Sequence, residues 1–185
     1  MIENFQILYP EIFLSLSILI ILMVGVFIKK SYNLVTNLTF LILLILIAIL
    51  FNEKGNTLIF SDVFIRDSFS NIIKILILIS SLLILYSSQI FIKENNINKF
   101  EYPIIFLIAI LGMFFMVSAN DLILFYLGLE LQSLALYILT AIDRDNLRAT
   151  ESGIKFFILS ALSSGLLLYG CSLLYGFTGS TNFEI

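Results

Sequence analysis

Residues that bind cofactors are almost missing from this sequence of 185 residues, which has no histidine and a single cysteine. Histidine is the commonest protein ligand of metal ions and the usual proton shuttle near neutral pH, and iron–sulfur clusters are held by several cysteine thiolates. One cysteine also excludes a disulfide within the chain. We therefore expect this chain to bind no metal ion and no redox cofactor.

Charge is scarce too: charged residues make up 12% of the chain, against about 25% in a typical soluble domain. Hydrophobic residues make up 60%, against about 45–50%. The net charge of −3 and the lack of a basic cluster argue against nucleic-acid binding. The first residues, Met1-Ile2-Glu3-Asn4, carry no positive charge, which does not fit a secretory signal or a mitochondrial presequence. The composition thus predicts an integral membrane protein.

The hydrophobic residues form long continuous runs. A membrane span needs about 20 mostly apolar residues, because the hydrocarbon core is about 30 Å thick and a helix rises 1.5 Å per residue. The runs are continuous rather than alternating, which favours helices over a β-barrel. The sequence therefore predicts an all-α polytopic membrane protein, with one membrane domain and no soluble domain, and about six transmembrane helices at 9–28, 34–51, 72–92, 100–119, 122–142 and 153–177.

The basic residues between these spans predict an orientation. Only Lys54 and Arg66 lie in the connection between the second and third spans. Six others follow odd-numbered spans: Lys29, Lys30, Lys93, Lys99, Arg144 and Arg148. By the positive-inside rule, the segments 29–33, 93–99 and 143–152 face the cytoplasm or matrix, and Met1 faces the opposite side.

Glu130 is the most costly residue in the predicted spans. It lies nine residues after Asp121, which places it about 13 Å deep and close to the midplane. An ionised carboxylate there costs several kcal/mol unless it is paired or hydrated. One interpretation is a protonated glutamate that bonds to a neighbouring helix. The interpretation we favour is a carboxylate on a proton or cation pathway, which faces the interior of the bundle.

Lys155 lies about one turn into the last predicted span. Its ammonium group could extend to the membrane interface, as long side chains near helix ends do. If the last helix begins near Arg148, however, the Cα levels of Lys155 and Glu130 differ by about 8 Å. Two extended side chains or one water molecule would close that gap, so a Glu130–Lys155 pair is the alternative.

Three further residues have simpler interpretations. Lys74, at the start of the third span, is expected to extend to the interface. Asp121 is expected to cap the fifth helix, where a carboxylate suits the free N–H groups. Cys171 belongs with small residues such as Ala161 and Gly165, which let helices approach closely in lipid, and is expected to be a buried packing residue. This small-residue face of the last helix is expected to pack against helices of another chain.

Two sequence blocks resemble a known family. The first joins MVSANDL at 116–122 to YLGLELQSLALY at 126–137. The second comprises DRD at 143–145, TESGIKFF at 150–157, GLLLYG at 165–170 and YGFTGST at 175–181. Both are similar to subunit 2 of NADH dehydrogenase, called subunit N in bacteria, of respiratory complex I. The recognisable similarity covers about 111–185; upstream, only the predicted topology matches.

This resemblance implies the N-terminal part of an antiporter-like helical bundle built from inverted repeats. It implies a subunit of a proton-translocating NADH:ubiquinone reductase, in which Glu130 matches the conserved carboxylate of the fifth helix and Lys155 a lysine of the sixth. NADH, FMN, iron–sulfur clusters and ubiquinone are implied only in partner subunits, so this chain carries no redox chemistry itself. The implied partners are the other membrane subunits of the complex and the lipid bilayer.

The chain is less than half as long as full members of that family. We expect a second polypeptide to supply the C-terminal part of the subunit, since the site of an inverted-repeat transporter needs several helices. The frequent Ile, Asn and Phe suggest an AT-rich genome, so the expected location is the mitochondrial inner membrane, with the bacterial plasma membrane as the alternative. Other functions that remain open are part of a stand-alone cation/proton antiporter and a structural membrane scaffold.

Overall fold

The computed structural model describes residues 8–28, 32–52, 57–59, 62–94 and 97–183. Within these ranges the chain forms helices and one short antiparallel hairpin. In chain order the elements are α1 (Tyr9–Phe27), α2 (Tyr32–Asn52), β1 (Thr57–Ile59), β2 (Phe64–Arg66), α3 (Ser68–Glu94), α4 (Glu101–Val117), α5 (Leu122–Thr140) and α6 (Leu147–Thr178).

The all-helical membrane architecture predicted from the sequence is confirmed. Among the helices described, five are long and apolar enough to cross a bilayer, and α4 is an apolar helix of 17 residues. The largest differences from the predicted bounds are in α3 and α6, which begin four and six residues before the predicted starts at 72 and 153. Both starts carry polar residues, which a search for apolar runs leaves out.

The core lies among α1, α2, α3 and α4. Leu14, Leu43, Leu78 and Leu107, one from each helix, have no exposed surface. Helix α5 packs on α4, and α6 packs on α5. The outward surfaces carry many exposed leucines, isoleucines and phenylalanines, as expected for helices whose solvent is lipid.

The hairpin of β1 and β2 lies in the connection between α2 and α3, where the sequence predicted no regular structure. Thr57 pairs with Arg66 in antiparallel register. The other edge of the hairpin bonds to the turn between α4 and α5: the N–H of Ile65 donates to the Ser118 carbonyl at 2.9 Å, and the N–H of Asn120 donates to the Val63 carbonyl at 2.9 Å. The α4–α5 turn, which is far from the hairpin in the sequence, provides backbone hydrogen-bond partners for these strands. A local sequence pattern cannot indicate such a contact.

The same turn also holds the segment that follows α6. The N–H of Leu122 donates to the Thr181 carbonyl at 2.8 Å, and the N–H of Phe183 donates to the Asn120 carbonyl at 3.2 Å. Asp121 caps α5 as predicted, since its carboxylate accepts from the N–H of Ile123 at 2.8 Å and also bonds the Thr181 hydroxyl. We call this end of the bundle the hairpin face.

Replacing Asp121 by alanine is expected to lower the free energy of unfolding by about 2 kcal/mol, since it removes a helix cap and leaves the partly buried hydrogen bond from Thr181 unmade. The matched control is Asn146→Ala, because Asn146 caps α6 at an exposed position and should cost about 1 kcal/mol or less. Thermal unfolding of the purified protein in detergent measures both. Equal losses would show that the Asp121–Thr181 contact adds nothing.

The loops at the opposite end lie together. The ammonium of Lys99 donates to the Ile142 carbonyl at 2.7 Å, which joins the α3–α4 and α5–α6 connections. A Cβ on Gly25 would stand 2.6 Å from the Phe100 ring, so the end of α1 meets the start of α4. The described parts of the three predicted basic loops therefore share one face. Lys29 and Lys30 lie outside the described residues, and the orientation of this face in the membrane stays a prediction.

Candidate proton site on α5

Helix α5 is held against α4 by two glycines. A Cβ on Gly112 would stand 2.6 Å from the backbone nitrogen of Gln132, and a Cβ on Gly128 would stand 2.8 Å from the backbone nitrogen of Met116. Cβ atoms essentially never approach backbone so closely, so only glycine allows this separation of the two helices. Glu130, between Gly128 and Gln132, is thereby fixed in depth and rotation by backbone contact.

Glu130 is the ninth of 19 residues in α5, about 12 Å along the helix from Leu122 and near its middle. Helical periodicity places it on the same face as Leu134 and Tyr137, away from the glycine contact with α4. The residue is half-buried, and its Oε1 atom is buried without a hydrogen-bond partner among the residues described. The arrangement shields one acceptor oxygen at the depth where an unpaired charge is most costly, although Leu127 and Leu134, one turn to either side on the same face, are exposed.

Helix α6 covers this face of α5 near the end of α5. The Tyr137 ring packs edge-on against Phe156, with centroids 4.9 Å apart, and against Phe157 at 5.6 Å. A Cβ on Gly153 would stand 2.7 Å from the Ala141 Cβ, which sets the register of the two antiparallel helices.

The register separates Lys155 from Glu130. Glu130 lies 11 residues, about 16 Å, before Ala141, whereas Lys155 lies about 3 Å beyond Gly153. The Cα levels therefore differ by about 13 Å, more than the 8 Å estimated from the sequence, because the first six residues of α6 precede the crossing. Instead, the Lys155 ammonium bonds Glu151 at 2.5 Å, and its side chain is 70% exposed. Within the described residues, the alternative of a direct Glu130–Lys155 pair is not formed.

The prediction for Lys74 was wrong. Its side chain does not extend to an interface: Lys74 is 2% exposed, and its Nζ atom bonds Glu11 Oε1 at 2.5 Å. Glu11, in the first turn of α1, is also 2% exposed. The ammonium also lies 5.4 Å from the ring centroid of Phe64 and 5.6 Å from that of Phe114, within the range of a cation–π interaction. The pair was missed because its partners are 63 residues apart.

A third charge lies near this pair. Arg66, on β2, is nearly buried, and its pKa is lowered by loss of hydration and raised by the negative charge of Glu11, with burial the larger effect. The hairpin therefore brings a second cation toward the buried Glu11 carboxylate. Two opposite charges near the same end of two apolar spans were the sequence signal that could have revealed the cluster.

The Ala161/Gly165 face of α6 is uncovered in the described structure. Ala161 and Gly165 are exposed, and a Cβ on Gly165 would meet nothing within 4 Å. Cys171 is only half-buried, so it is less buried here than predicted. That another chain covers this face stays a prediction.

Comparison with known proteins confirms the resemblance. Residues 119–185 match the family model described as NADH:quinone oxidoreductase/Mrp antiporter, TM. The chain is 50% identical over 185 residues to NADH-quinone oxidoreductase subunit N of Pelagibacter ubique, covering 99% of this chain and 39% of that protein. It is 49% identical over 179 residues to subunit N of Rhodospirillum rubrum, covering 95% and 37%. The similarity thus extends well upstream of residue 111, farther than the sequence motifs indicated.

Solved structures agree on the fold. A chain of respiratory complex I from Thermus thermophilus superposes with a TM-score of 0.79 at 25% identity, over 95% of this chain and 38% of that one. A chain of an archaeal membrane-bound sulfane sulfur reductase gives 0.75 at 20% identity, over 96% and 38%, which shows the fold alone. The protein therefore has the fold of an antiporter-like membrane fragment, and it spans about two fifths of the length of the curated relatives it matches.

Proposed function

We propose that this chain is part of the membrane arm of a proton-translocating NADH:quinone oxidoreductase, with the role of an antiporter-like subunit N. The observation that carries this proposal is the 50% identity to a bacterial subunit N along essentially the whole chain. Electron transfer from NADH to quinone takes place in other subunits of such a complex, and this chain contributes to the coupled movement of protons.

Glu130 is the group that we propose to take up and release a proton. Its buried Oε1 atom has no hydrogen-bond partner in the part of the chain that the structure describes, so it is available to a proton or a water molecule. Burial favours the neutral acid, and a nearby cation favours the carboxylate. A cation whose distance or charge changes during turnover would therefore change the proton affinity of Glu130.

In this proposal, Lys155 is not a direct ion-pair partner of Glu130. Along the helix axes, its Cα lies about 13 Å from the Cα of Glu130. It is paired with Glu151 in the exposed first turns of α6. We propose that Lys155 joins the proton pathway from the side of the basic loops, through water or through groups of another chain. The exposed small-residue face of α6 offers a surface on which further helices could pack.

The bacterial origin of the relatives favours the plasma membrane over the mitochondrial inner membrane. The similarity to subunit N also favours complex I over a stand-alone cation/proton antiporter. FMN, iron–sulfur clusters, NADH and quinone are proposed as ligands of partner subunits only.

Purification of the tagged chain from native membranes in a mild detergent tests this function. We expect it to co-migrate on a native gel with NADH dehydrogenase activity and with flavin and iron–sulfur subunits identified by mass spectrometry. Migration alone, or with antiporter subunits that lack NADH dehydrogenase activity, would contradict the proposal.

A further inference from the structure

We propose that the buried Glu11–Lys74 pair is a second proton-exchange site of this chain, reached by water from the hairpin face and separate from Glu130. Its significance for pumping rests on the proposed function, but proton exchange at Glu11 is a property that can be measured on its own. The site would take a proton delivered by water, and no metal ion or organic ligand.

The pair lies close to the hairpin face. Glu11 is the third residue of α1, about 3 Å of helix rise from its start, and Lys74 is about 9 Å into α3. Both helices begin at the hairpin face, where α5 also begins. The pair is therefore nearer to water at that face than Glu130, which is about 12 Å into α5.

Glu11 has an oxygen available for a proton. Its Oε1 atom bonds Lys74, whereas Oε2 is buried and has no hydrogen-bond partner among the described residues. Two other oxygens of this region, Asn71 Oδ1 and Ser118 Oγ, are also buried without a hydrogen-bond partner among the described residues. Asn71 lies one turn before Lys74 on the inward face of α3, and Ser118 bonds β2 through its carbonyl. Buried polar atoms are nearly always satisfied, and water is the usual partner where the protein supplies none.

Neutral Glu11 would leave the buried Lys74 ammonium in contact with two aromatic rings but without its counter-charge. The titratable groups that face Glu11 in the described structure are two cations, Lys74 from α3 and Arg66 from β2. The contribution of α4 is the Phe114 ring, which with Phe64 lies within 5.6 Å of the Lys74 ammonium. The two rings remain in contact with the cation when the carboxylate loses its charge.

The exchange step needs no other reactant. A hydronium ion at the hairpin face transfers a proton to Glu11 Oε2, forming an O–H bond and leaving one water molecule. The bond from Lys74 to Oε1 weakens, and the ammonium keeps its three protons. Release of the proton to water restores the pair.

The competing explanation is that the Glu11–Lys74 pair only stabilises the fold. The stabilities of single and double variants distinguish this explanation from proton exchange. Replacing both members of a buried ion pair by neutral residues of similar volume often costs little stability, whereas removing one member is costly. The double variant Glu11→Gln/Lys74→Met is therefore expected to assemble while lacking any exchangeable proton at this site. The conservative variant Lys74→Arg keeps the charge and should keep the exchange.

The test is infrared difference spectroscopy of the intact complex between neutral and acidic pH, read at the carbonyl band of protonated, buried carboxyl groups. We expect the wild type to show such a band, Glu130→Gln and Lys74→Arg to retain the Glu11 contribution, and the double variant to lose it. Loss of the Glu11 component of the band in the double variant, with that component retained in Glu130→Gln, supports the site whether or not the complex pumps protons.

Two results would overturn this site. One is a double variant that assembles with the wild-type band unchanged. The other, which does not depend on assembly of the double variant, is a Glu130→Gln complex with no remaining carboxyl band. The failure of the proposed function would be seen separately, as the absence of NADH dehydrogenase activity in the purified complex.

Discussion

Replacing Gly128 by leucine is expected to prevent the folded chain from accumulating in the membrane. A Cβ at this position would stand 2.8 Å from the Met116 nitrogen and 2.9 Å from the Gly112 carbonyl oxygen, and neither backbone atom can move aside without separating α4 from α5. Overpacking typically costs about 1–3 kcal/mol and occasionally more, and a clash with backbone on both sides puts this variant at the upper end, a large part of the stability of a typical domain. Quantitative immunoblotting of membranes and thermal unfolding in detergent measure the loss.

Gly165→Leu is the matched control for this variant. A Cβ on Gly165 meets nothing within 4 Å in the described structure, so the chain itself should fold normally. If the exposed face of α6 packs against another chain, this control should fold but show weaker assembly into the complex. Equal loss of folded chain in the two variants would show that the Gly112–Gly128 contact does not govern the packing of α5.

The second large effect is expected from Lys74→Met. This change removes the only ion-pair partner that the described structure gives to Glu11 and leaves a carboxylate buried at 2% exposure. Breaking a buried pair on one side costs about 3–5 kcal/mol. We expect a lower thermal unfolding temperature and less folded protein in the membrane.

The double variant Glu11→Gln/Lys74→Met is expected to recover most of that stability, because neither member of the ion pair is left charged without the other. The exposed pair provides a second control: Lys155→Met removes the partner of Glu151, both more than 60% exposed, and should change stability by about 1 kcal/mol or less. A double variant as unstable as Lys74→Met alone would mean that the pair is needed for reasons other than its charges.

The sequence was sufficient for the helical architecture because lipid imposes a simple rule: each span must satisfy its own backbone, and its length is set by the bilayer. The same rule identified Glu130, since a charge in the middle of an apolar run is conspicuous without any structure. The cap at Asp121 was predictable because it depends on neighbouring residues only.

The features that were not predicted depend on contacts between residues far apart in the sequence. The hairpin exists because of the Ser118–Asn120 backbone, and the fate of Lys74 depends on Glu11, which lies 63 residues away. Lys155 was placed too close to Glu130 because the crossing of α5 and α6 is set by Gly153 and Ala141, not by the ends of the helices.

The most direct test of the central claim is the number of protons translocated per NADH oxidised by the purified complex in proteoliposomes, compared between the wild type and Glu130→Gln. The glutamine keeps the shape of the side chain and removes its ability to ionise, so we expect the complex to assemble and the proton yield to fall. The control is Glu94→Gln, at the exposed end of α3, which should leave the yield unchanged. A Glu130→Gln complex that pumps protons at the wild-type yield would contradict the assignment of Glu130 as the proton-carrying group.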